Sequence, residues 1–252
     1  MLFLLPMAAA FPSVVEKLSG GEVDWTRMEL VASAEGEPPG GSLLSWEAME
    51  GEARSHLGPR ILELSRLIRM DATRTAQTWL DGANRVADRL DDNLSMWETF
   101  QVRYYTSGRV ELDGALPLHA WLRPVLVDLA AGREREGPPT GPVTGLLVDA
   151  RGLELLPAVC PNLRTSAGLS LYSAEAVTPA AIAQRPPVIY VTDPANPAAV
   201  ARVGEQPLIL RATGVRDGVD LLISDADSNT LRDRASEAPF LLHANVVIVV
   251  DP

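Results

Sequence analysis

Cysteine and lysine are almost missing from this chain. Cys160 is the sole cysteine among 252 residues, so an intramolecular disulfide and a cysteine-built metal site are both excluded. Beside Val159 and Pro161 it reads as a small buried hydrophobe. Lys17 is the sole lysine, against a formal net charge of −11 and a pI near 4.8. That balance lacks the electropositive footprint that phosphate-backbone binding requires, which argues against a nucleic-acid partner. Aromatic residues make up 5% of the chain, too few for a base-stacking platform. No apolar run reaches the ~20 residues of a membrane-spanning helix. His56, His119 and His243 lie in separate segments without metal-ligand spacing. No G-x-S-x-G, Walker loop or G-x-G-x-x-G occurs. The sequence therefore nominates no catalytic, cofactor-binding or metal-binding residue, and no cofactor is expected.

What is present reads as a globular α+β protein. The spacing predicts a strand over Val23–Val31. A helix capped by Ser45 follows, with an apolar stripe at Trp46, Met49, Ala53, Leu57, Ile61, Leu64 and Ile68. Gly58-Pro59 inside that stripe predicts a kink or a split. A second stripe, Trp79, Ala83, Val86, Leu90 and Leu94, predicts another helix. Phe100, Val102 and Tyr104 alternate with polar neighbours, and Val110, Leu112, Gly114, Leu116 and Leu118 follow at period two, which predicts a hairpin with one face on a core. The first unit thus reads strand, two helices, hairpin over residues 21–131. A Gly-, Pro- and charge-rich linker follows at 132–142.

The second unit, residues 143–252, reads as mixed α+β and rich in strand, ending in a buried C-terminal strand. Val246-Val247-Ile248-Val249-Val250 cannot alternate between core and solvent, so that strand is expected to be covered on both faces. Pro207–Ala212 and Val219–Ile223 read as a hairpin turning at Arg216-Asp217-Gly218. Ser224 and Asp227 have capping-box spacing, predicting a short helix over 228–235. Asp225-Ala226-Asp227-Ser228-Asn229 opens like a calcium loop, but Thr230 and Ser236 stand where Gly and Glu are needed; the cap reading is preferred. Asp149-Ala150-Arg151-Gly152 reads as a structural ion pair at a turn, with Gly152 supplying a permissive backbone. The competing reading makes Asp149, Arg151 and Asp225 the site of a periplasmic enzyme or small-ligand-binding protein.

At the N-terminus, Leu2 to Ala10 is apolar and then small, like the end of a secretory signal cleaved near Ala10. Residues 1–20 are therefore expected to be a leader, and the protein to be exported.

Several stretches carry a family resemblance. They include Val23-Asp24-Trp25-Thr26, Tyr104 through Glu111 and Leu116-Pro117-Leu118. In the second unit they are Thr144 through Leu153, Leu156-Pro157-Ala158, Asp220 through Asp227 and Val246 through Asp251. Together these resemble exported bacterial envelope proteins, a group that includes outer-membrane-associated lipoproteins and flagellar accessory proteins of the assembly-protein-T and basal-disk type. The lipid-attachment cysteine of the lipoprotein members is missing here. The resemblance implies a non-enzymatic protein of the periplasm or outer-membrane surface. Such a protein contacts other envelope proteins or copies of itself, as a flagellar or other ring or scaffold accessory subunit.

Overall fold

The computed structural model describes residues 11–37, 45–82, 94–133 and 140–252. The first ten residues of the leader expected over 1–20, most of the second helical stripe (Ala83, Val86, Leu90) and most of the linker lie outside these residues; the rest of the expected leader is described and includes the strand Val15–Leu18.

The first unit is an antiparallel sheet with a helix across one face. Its elements are β1 (Val15–Leu18), β2 (Gly21–Asp24), β3 (Glu29–Gly36), α1 (Trp46–Arg66), α2 (Ala76–Gly82), β4 (Glu98–Tyr104), β5 (Val110–Pro117) and α3 (Leu118–Leu129). The strand order is β1-β2-β3-β5-β4. The single strand expected over Val23–Val31 is instead the end of β2, a turn and the start of β3. Asp24 breaks it, because its Oδ1 accepts the Thr26 and Arg27 amides at 2.9 Å each and so closes an Asx turn. Ser45 caps α1, and the side chains of Met49, Ala53, Leu57, Ile61 and Leu64 are buried. The expected kink is corrected: α1 runs unbroken through Pro59. Pro59 lies on the exposed face, where water can satisfy the carbonyl left without its amide partner.

A second correction concerns β4. Its register against β5 shifts between Thr99 and Gln101. A bulge there adds a residue and reverses the alternation. Val102 and Tyr104 pair with the buried Leu112 and Val110, whereas Phe100 joins Val31, Ser33 and Asp113 on the opposite face. Phe100 therefore does not share the core face expected for it.

The second unit contains two sheets. Its elements are β6 (Gly145–Asp149), β7 (Leu163–Thr165), β8 (Ser170–Tyr172), α4 (Pro179–Ile182), β9 (Ile189–Val191), α5 (Pro197–Val203), β10 (Pro207–Arg211), β11 (Gly214–Arg216), β12 (Asp220–Ile223), α6 (Asp225–Glu237) and β13 (Val246–Val249). A parallel sheet has the order β10-β6-β13-β9, and a smaller mixed sheet the order β11-β12-β7-β8. β13 lies between β6 and β9 with all four residues buried. The α+β class is the observed one. The hairpin is real but smaller than expected: β12 pairs with β11, while β10 joins the parallel sheet beside β6. Its turn holds Asp217 at φ 52° and Gly218 at φ 74°, the doubly positive pair of a type I′ turn. Thr178 and Asn196 cap α4 and α5, each with Pro at the first turn. Residues 193–195 are loop, and Asn196 and Pro197 open α5.

The two units share one continuous apolar core. β9 is an edge strand of the parallel sheet, and the first unit covers it. Thr26 Oγ1 donates to the Tyr190 carbonyl at 2.7 Å, and the Trp25 ring meets the Tyr190 ring edge-on at 6.0 Å. The Tyr190 hydroxyl donates to the Ala158 carbonyl at 2.8 Å and accepts the Ala158 amide at 3.0 Å. Arg69 donates to the Pro157 carbonyl at 2.6 Å while paired with Glu16 at 2.9 Å. Tyr190→Phe strips both partners from a buried Ala158. It is expected to lower stability by about 1–3 kcal/mol, read from urea denaturation. A loss under about 0.5 kcal/mol would contradict this role.

Candidate functional site

In open parallel sheets, ligands gather beyond the C-terminal ends of the strands. Here that rim carries Asp149 and Arg211 at the ends of β6 and β10, Asp193 after β9 and Asp251 after β13. Asp149 and Asp251 already have partners from within the rim. Arg151 holds Asp149 through Nε at 2.8 Å and Nη2 at 2.7 Å, and its own amide donates to Oδ1 at 3.1 Å. Gly152, at φ 81°, turns its amide onto Asp251 Oδ2 at 2.8 Å. The Arg151 hydrogen bonds hold the Asp149 carboxyl at about 2, well below its ordinary value. A carboxylate so held is a poor general base near neutral pH. A guanidinium so engaged has little left for a phosphate.

The second predicted cluster lies elsewhere. Ser224 caps α6: its Oγ accepts the Asp227 amide at 3.1 Å and donates to Asp227 Oδ2 at 2.8 Å. The helix begins at Asp225 and ends at Glu237, earlier and later than the 228–235 expected. Asp225 Oδ1 accepts the Ser166 hydroxyl at 2.6 Å, tying the helix start to the turn between β7 and β8. The rim motif belongs to the parallel sheet and the cap to the smaller sheet. Among the described residues, no hydrogen bond or ion pair joins Asp225 to Asp149 or Arg151. The trio of the enzyme reading is not assembled by direct contacts.

Two arrangements escaped sequence reasoning. One is a cleft of about 440 Å³ where the units meet, lined by Arg74, Trp79, Cys160, Asn162, Arg164 and Asp220. The buried Asp220 accepts from Arg164 Nε at 2.6 Å and from the Asn162 amide at 3.0 Å. Burial pushes the Cys160 thiol upward, which leaves it protonated and unreactive.

The other lies on the face of the five-stranded sheet away from α1. Arg103 donates to both oxygens of Asp113, at 2.6 and 2.7 Å, and to Glu111 at 2.7 Å. Ser33 completes the Asp113 set at 2.6 Å, and the Tyr105 hydroxyl donates to Glu111. Arg103 and Tyr105 together hold Glu111 at about 2. This ladder fixes the strands carrying an exposed aromatic group at the sheet edge. Phe100, Tyr104 and Trp46 are 59%, 54% and 47% exposed, and Tyr104 and Trp46 meet edge-on at 5.4 Å. β4, which carries two of them, has no strand on its outer side among the described residues. Period-two reading could find these residues, but the bulge that separates Phe100 from Tyr104 leaves no mark in composition.

Residues 145–252 match the family model for Treponema pallidum Tp0624, second domain. The matched stretch begins at the first residue of β6 and takes in both sheets of the second unit, so this unit is similar to that domain. It contains the Asp149 turn, the Ser224 cap and the buried β13, while the aromatic β4 edge lies outside it. Comparison with curated proteins gives no significant match. Among the described residues, no helix is long and apolar enough to cross a membrane.

Protonation of Asp149 tests the rim directly. Its folded pKa is depressed, so its contribution to stability is full above the ordinary carboxylate range and lost as pH falls towards 2. Asp149→Asn should therefore melt below wild type at pH 7, and the gap should shrink between about pH 5 and pH 2. Thermal melts across that range check it. A gap that stays constant down to pH 2 would contradict the pairing.

Proposed function

We propose that this chain is a non-enzymatic cell-envelope protein acting through protein–protein contacts, a scaffold subunit whose β4 edge pairs with a second copy of itself. The observation that carries this reading is the β4 edge, unpaired on its outer side among the described residues, with its exposed aromatic residues. An unpaired strand of seven residues presents a row of amides and carbonyls to any strand that can align with it. The other edges are shorter or covered. β1 has four residues and carries Glu16 and Lys17, β9 is covered by Trp25 and Thr26, β10 starts at Pro207 and ends at Arg211, and β8 and β11 have three residues each. β4 instead offers Phe100 on one face and Tyr104 beside Trp46 on the other.

A two-fold axis through an antiparallel pair makes the contact self-complementary. It also brings Glu98 of each copy towards the Arg103 end of its mate. The aromatic residues would be the anchors of such an interface, as buried aromatic side chains commonly are. The envelope setting rests on the resemblance read in the sequence and on the leader expected over Leu2 to Ala10. The paired state of Asp149 and Arg151 supports a role without turnover.

Size-exclusion chromatography with light scattering tests the contact. The chain has a mass of 27.1 kDa, and wild type should approach twice that value as concentration rises. Phe100→Glu and Tyr104→Glu should remain monomeric with unchanged circular dichroism. A wild type that stays monomeric into the high micromolar range would refute the self-pairing.

A further inference from the structure

The N-terminal end of the parallel sheet holds positive charge that the described residues leave uncompensated. Arg202, in the last turn of α5, is 9% exposed. Its Nη2 donates to the Pro186 carbonyl, and its Nε is buried without an acceptor among the described residues. Burial, and then the charge of Arg185 nearby, lower the Arg202 guanidinium to about 10. Arg185 donates through Nη1 to Asn245 Oδ1 at 2.9 Å, a neutral acceptor. That asparagine is itself held by donating to the Thr144 carbonyl at 2.9 Å. Among the described residues, no carboxylate forms an ion pair with either arginine.

Burying a guanidinium without a counter-charge is strongly unfavourable unless something else supplies one. Acidic residues outnumber basic ones in this chain by 33 to 22. A missing carboxylate here is therefore not a matter of supply. Both arginines, with Gln184, His243, Thr144 and Asn245, line one open pocket of about 500 Å³. That volume falls within the range of small-molecule sites. Arginine suits the recognition of planar carboxylates and of phosphates, because its N–H groups form a fixed fork.

We propose that this pocket binds a small oxyanion, the phosphate or carboxylate group of a small molecule, between Arg202 and Arg185. The inference does not depend on the β4 contact, which belongs to the other unit, or on the Asp149 rim at the opposite end of the strands. The bound anion supplies the counter-charge that Arg202 lacks and steadies the junction of α4, α5 and β13.

Thermal melts of the full chain test it, with inorganic phosphate, sulfate or acetate replacing chloride at constant ionic strength and pH 7. At least one oxyanion should raise the wild-type Tm by about 2–4 °C or more once well above its Kd. A response to phosphate and sulfate but not acetate assigns the tetrahedral class, and the reverse assigns the carboxylate class. Arg185→Gln should abolish most of the shift while keeping the fold. Arg202→Met should abolish it too, and should melt no lower than wild type in chloride because it removes an unpaired buried charge. If Arg202→Met fails to fold, Arg185→Gln and isothermal titration of wild type with the active anion still decide the matter. No shift with any oxyanion, or an equal shift in wild type and Arg185→Gln, overturns the proposal.

Discussion

The buried phenol of Tyr190 is the constraint on which the two halves of this fold depend. β9 is three residues long and lies at the edge of a parallel sheet, a class of sheet that proteins normally bury. Its outer side has to be covered by something. Trp25 and Thr26, in the turn after β2, cover it, and the Tyr190 hydroxyl reaches the other way to pin Ala158. Glu16 reinforces the same junction by accepting from Trp25 Nε1 at 2.9 Å while paired with Arg69. An unmade hydrogen bond in such a dry place carries its full desolvation penalty. The geometry of Ala158 and Tyr190 is therefore strongly specified.

That junction decides which surfaces remain for function. With β9 covered and β13 central, the parallel sheet offers its two ends and the short β10 edge. At one end Arg151 pairs with Asp149 and the Gly152 amide donates to Asp251, while the other holds two arginines facing neutral partners. In the first unit, α1 covers one face of the sheet and the Arg103–Asp113–Glu111 ladder occupies the other. Among the described residues, the β4 edge remains unpaired. Surface ion pairs of this kind add little net stability singly, but a connected set fixes the pitch of the strands and the places of Phe100 and Tyr104.

Much of this was legible in the sequence where local chemistry decides local structure. The uninterrupted β-branched run of β13, the Asp217-Gly218 turn and the Ser224 cap all stand in the fold. The partner of β10 was not legible, because an apolar run shows that a strand is buried without saying which strand lies beside it. Pro59 was misread as a break because its exposure, which makes it tolerable, is a tertiary property. The Asn196-Pro197 pair is a helix-start signal that local chemistry does carry, and α5 begins there. Arg185 and Arg202 gave no signal at all: they follow α4 and end α5, and only the parallel sheet brings them into one pocket. Asp220 likewise reads as a strand residue until β7 places Asn162 and Arg164 beside it.

The account stands on two units sharing one apolar core, with β4 unpaired on its outer side among the described residues. Hydrogen–deuterium exchange across the chain, followed at low and high protein concentration, tests that claim most directly. The account predicts that amides of β9, β13 and β3 are strongly protected at both concentrations, and that protection of β4 rises with concentration as its outer edge pairs. Concentration-independent exchange in β4, or rapid exchange in β9 while β13 stays protected, would contradict it.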